Sequence, residues 1–66
     1  MADAATDTVR AELGAAGEAV SRYRERIAGL VSSVEGNEEL VAAMWEVERG
    51  LLGAQRLISR AEKIAR

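Results

Sequence analysis

The sequence predicts an all-α protein: an antiparallel two-helix hairpin, completed as a dimeric four-helix bundle. Three observations predict it. Apolar residues recur in steps of four and three along two long stretches. A short polar break containing a glycine separates those stretches. Proline is absent from all 66 residues, while Ala, Glu and Arg, all good helix formers, are abundant.

The first helix is expected over about residues 6–34. Its stripe reads Val9, Leu13, Ala16, Val20, Tyr23, Ile27, Leu30 and Val34, the a/d pattern of a heptad. The break is Glu35-Gly36-Asn37-Glu38-Glu39. Gly36 suits the left-handed position that ends a helix. Asn37 suits the N-cap of the next, and Glu38 and Glu39 complement its positive end. The second helix is expected over about residues 38–65. Its stripe reads Leu40, Met44, Val47, Leu51, Ala54, Ile58, Ala61 and Ala65. So short a connection makes the helices antiparallel neighbours. One domain spans residues 1–66, with residues 1–5 expected to fray.

Folding the chain about Gly36 fixes a register. Leu30 meets Leu40, Ile27 meets Met44, Tyr23 meets Val47 and Val20 meets Leu51. Further along, Ala16 meets Ala54, Leu13 meets Ile58 and Val9 meets Ala61. On the flank, Arg24 falls opposite Glu48, Arg10 opposite Glu62 and Val31 opposite Val41. Arg22 and Arg26 are expected near Glu46 and Glu25. Acidic Asp3, Asp7 and Glu12 oppose Arg56, Arg60, Lys63 and Arg66 at the far end. Such pairs contribute little energy, but a parallel alignment would lose them, so they fix orientation.

The composition bounds the chemistry. There is no Cys and no His, which removes disulfides, thiol catalysis and the common zinc sites. A chain this short buries a small share of its surface, so a partner is the remaining source of stabilisation. Nine basic and eleven acidic residues give a net charge of −2, which disfavours nucleic-acid binding by bulk charge. No apolar run approaches a membrane span, and the acidic N-terminal residues lack the apolar core of a signal peptide. The expected location is the cytoplasm.

A hairpin buries one stripe per helix, and the second helix carries more. Ala43, Gly50, Leu57 and Ile64 run along one flank of the seam. Val41, Trp45 and Leu52 run along the opposite flank. Exposed apolar patches of this kind mark interaction surfaces. The expected partner interface is therefore Val41, Trp45, Gly50, Leu52, Leu57 and Ile64, with Arg22, Arg26, Arg49 and Arg56 at its rim. Small residues of the first helix (Gly14, Ala15, Gly17, Ala19, Ala28 and Gly29) either admit a close neighbour or reflect composition alone.

Three other chemistries are weighed. Arg22-Tyr23-Arg24-Glu25-Arg26 resembles a basic patch with an interleaved aromatic, yet its tyrosine belongs to the seam and Arg24 has a carboxylate opposite. Glu35, Glu38, Glu39, Glu46 and Glu48 fall off the apolar stripe, and carboxylate metal sites in bundles normally add histidine. Catalysis needs a sheltered polar constellation, and neither stripe has a polar break. The sequence is read as a non-enzymatic helical interaction or assembly module, self-associating foremost or docking on a larger protein. No cofactor or metal is expected. The alternative is a small mutase-like helical enzyme with an arginine-lined pocket at a dimer interface. A nucleic-acid-associated protein ranks below that.

Overall fold

The structure, a computed structural model, describes residues 3–66. It is an antiparallel helical hairpin. Helix α1 spans Ala4–Leu30 and helix α2 spans Glu38–Ile64, each of 27 residues. A short 3₁₀ turn, Val31–Val34, carries the chain out of α1. Among the described residues there is no strand.

Local chemistry explains the boundaries. α1 starts two residues earlier than the stripe suggests, because the Asp3 carboxylate accepts the Ala5 N–H at 3.1 Å and caps the helix. Of the segment expected to fray, residues 1–2 lie outside the described residues. Residues 3–5 form the cap and the first helical positions. Gly36 takes φ of +99°, a left-handed backbone open to glycine without a Cβ clash. Asn37 caps α2 as expected, accepting the Leu40 N–H at 3.1 Å. The Asn37 N–H in turn donates to the Val34 carbonyl at 3.0 Å, closing the turn.

The seam differs from the expected one. Let Leu13, Val20 and Ile27 of α1, and Met44, Leu51 and Ile58 of α2, be heptad position a. These all lie half-buried between the helices, as expected. The second column does not come from position d. In α1 it is Arg10, Gly17 and Arg24, continued by Val31 in the 3₁₀ turn. In α2 it is Val41, Glu48, Gln55 and Glu62, so the seam is a/e on both helices. Val9, Ala16, Tyr23 and Leu30 are exposed, and so are Leu40 and Val47. Only the small d residues Ala54 and Ala61 stay partly covered. Each helix is turned by roughly 50° about its axis from the a/d expectation.

Three features favour this rotation. The 3₁₀ turn winds with three residues per turn, so Val31 and Val34 point the same way, toward α2, and Leu30 points out. Gly14 and Gly17 leave room on the e side. A Cβ at Gly17 would sit 3.5 Å from Ile58 Cγ2, and one at Gly14 would sit 3.3 Å from Glu62 Oε1. Arg24 also completes its hydrogen bonding across this seam. Its Nη2 and Nε donate to Glu48 Oε1 at 2.7 and 3.1 Å, and its Nη1 donates to Gln55 Oε1 at 2.8 Å. The pairing of Arg24 with Glu48 is the expected one. Arg10 is a correction: it pairs at 2.8 Å with Asp7 on its own helix, and Glu62 lies against Gly14 instead.

Candidate interaction surface

In an antiparallel pair, positions e of both helices lie on one side of the plane through the helix axes, and positions g lie on the other. The rotation to an a/e seam therefore moves the d residues of both helices to the same face. That face gathers Val9, Tyr23 and Leu30 from α1 with Leu40, Val47, Leu57 and Ile64 from α2. Exposures run from 41% at Leu40 to 74% at Ile64. Seven of the eight large apolar side chains left exposed lie there, the eighth being Trp45. Small residues fill the gaps: Ala16, Ala19, Ala43, Gly50, Ala54 and Ala61. In α1, the charged side chains on this face are Glu12 and Arg26. The Arg26 guanidinium lies 5.3 Å from the Tyr23 ring centroid, a cation–π contact.

The opposite face is polar. It carries Asp7 and Arg10, Arg24 with Glu48 and Gln55, and Ser21, Ser59 and Glu62. Trp45 and Leu52 are its apolar members, and Leu52 is half-buried. An open groove of about 690 Å³ runs from this face onto the outer side of α2, lined by Arg24, Leu52, Gln55, Arg56, Ser59, Arg60, Lys63 and Ile64. It concentrates cationic groups, but it is not sheltered from solvent. Among the described residues no group of three or more Asp or Glu side chains is placed to hold a metal ion. Among the described residues no helix is long and apolar enough to cross a membrane.

The expected interface residues thus divide. Gly50, Leu57 and Ile64 lie on the apolar face. Val41 lies in the e column of the seam, and Trp45 and Leu52 lie on the opposite side, with Val41 and Leu52 partly covered by the hairpin itself. Of the expected rim, Arg26 borders the apolar face, while Arg22, Arg49 and Arg56 point to solvent on the outer helix surfaces. Neither Arg22 nor Arg26 is ion-paired with Glu46 or Glu25, and the far-end charges make no cross-helix ion pair. The ion pairs among the described residues are Asp7–Arg10 and Arg24–Glu48. Sequence reasoning placed Val9, Tyr23, Leu30, Leu40 and Val47 in the seam, and so missed them as surface. A signal was present: Arg24 opposite Glu48 and Val31 opposite Val41 describe a second register column at position e, which competes with d for the seam.

The fold defines the class of protein, a two-helix antiparallel hairpin with one apolar face. Comparison narrows it no further: no family model, no curated protein and no solved structure matches the chain.

Proposed function

We propose that the protein is a helical assembly module, acting without catalysis by packing its apolar face against another helical surface, in the first place that of its own kind. One observation carries this reading. No described side chain is fully buried within the hairpin, yet seven large apolar ones line up on a single face. A lone pair of helices with no enclosed core is marginal, because helix formation in water relies on burial of an apolar face. Covering this face encloses positions a and d together, which is the core arrangement of a four-helix bundle. The mechanism is helix-face recognition: large side chains seat on Ala and Gly positions, and charges at the rim select the partner.

Sedimentation equilibrium at micromolar concentration tests the reading. A dimer is expected, with a helical circular-dichroism signal that falls on dilution as the dimer dissociates. A stable, fully helical monomer that keeps its apolar face in water would overturn it.

A further inference from the structure

We infer that the face is closed by a second copy of this chain related by a two-fold axis parallel to the helices, so that both turns lie at the same end of the bundle. The inference rests on the reading above and adds the arrangement. In this geometry α1 of one copy runs antiparallel over α2 of the other. Such an axis permits no sliding, so residues meet at the levels they already share within the hairpin. Those levels are set by Arg24 opposite Glu48. At that register Glu12 falls level with Arg60 of the second copy, and Arg26 falls level with Glu46 of the second copy. All four side chains are exposed, and none is ion-paired within the hairpin. Glu12 and Arg26 border the apolar face on α1, and Arg60 and Glu46 lie on the outer side of α2, next to the edge where α1 of one copy borders α2 of the other. Symmetry repeats both matches, so four opposite-charge pairs rim the interface.

The apolar layers fit the same register to within one residue. Tyr23 falls over Gly50 of the second copy, Leu30 over Ala43 and Ala16 under Leu57, each pairing a large side chain with a small one. Val9 meets Ile64 at the end. Such alternation is what lets helices interdigitate. The size also suits a dimer. The hairpin measures 56 by 14 Å across this face in Cα extent. That footprint is on the order of 800 Å², about what one partner contributes to a standard stable interface.

The chain has no cysteine, so Glu35→Cys gives a single spin-label site beside the turn. Pulsed electron–electron distance measurement on the labelled dimer is expected to give about 20–30 Å, two to three helix diameters. A separation near the 56 Å length of the hairpin would place the turns at opposite ends and overturn this arrangement, while leaving the apolar face as the binding surface. Absence of dimer by sedimentation of the same sample would overturn the functional reading as well. Charge reversal gives a second readout. Arg26→Glu should weaken dimerisation about tenfold at low salt, and Arg26→Glu with Glu46→Arg should restore it to within about threefold. If the double variant is no tighter than the single one, Arg26 and Glu46 do not meet.

Discussion

The two broad faces of the hairpin are built on the same two helices, and their surfaces are of opposite kind. On one, polar groups meet across the seam: Arg24 donates to Glu48 and Gln55. On the other, Val9, Tyr23, Leu30, Leu40, Val47, Leu57 and Ile64 stay largely exposed. A face made of polar groups can rest in water. A contiguous apolar face lowers its free energy by leaving water, at roughly 25 cal/mol for each Å² covered. One side of the molecule therefore completes the hairpin, and the other is the face proposed to complete an assembly.

The largest expected effect comes from breaking the apolar face. Leu57→Asp places a carboxylate within the proposed contact, twice in a symmetric dimer. It should raise the dissociation constant at least about 100-fold by sedimentation. Trp45→Ala on the opposite face should change it by less than about threefold. Equal losses from the two would abolish the distinction between the faces. Next is the seam that both faces share. Leu51→Ala removes packing at position a and should cost about 2–3 kcal/mol in urea denaturation, whatever the oligomeric state. The polar face responds less. Arg24→Ala deletes the hydrogen bonds to Glu48 and Gln55, which are partly shielded from solvent, and should cost roughly 1–2 kcal/mol. It should leave the association constant of the folded chain nearly unchanged, which sharpens the separation of the two roles. The smallest effect belongs to Asp3→Ala. Loss of the cap should cost about 0.5–1 kcal/mol and show as reduced amide protection in the first turn of α1.

The comparison also shows what could be read in advance. A spacing of seven recurs at Leu13, Val20 and Ile27, and at Met44, Leu51 and Ile58. Every one of these lies in the seam, because position a is inward in either rotation. The turn was legible at Gly36 and Asn37, since φ of +99° and a side-chain cap are local demands met by local chemistry. Arg24 opposite Glu48 was legible from register alone. Tyr23 and Val47 were not. A stripe of hydrophobic residues states which positions avoid water, but it does not say which neighbour covers them. Where a helix has partners on two sides, the apolar band is wider than one seam, and a periodic pattern assigns the whole band to the first partner found. Val41, Trp45 and Leu52 show the converse. Val41 belongs to the e column of the seam and Trp45 and Leu52 lie beside it at b, and the hairpin itself half-covers Val41 and Leu52.

The amino-acid sequence by itself determined the two helices, the Asn37 cap, the left-handed glycine between them, the antiparallel sense and the level at which residues meet. Each follows from interactions within a few residues, or from the single constraint of a short turn. Only the tertiary structure decided the rotation of each helix about its axis, and with it the face on which the remaining apolar surface is gathered. That choice depends on close approach at Gly14 and Gly17, on the tighter winding of Val31–Val34, and on the bonds Arg24 makes across the seam. These are contacts between distant parts of the chain, whose outcome heptad periodicity leaves open.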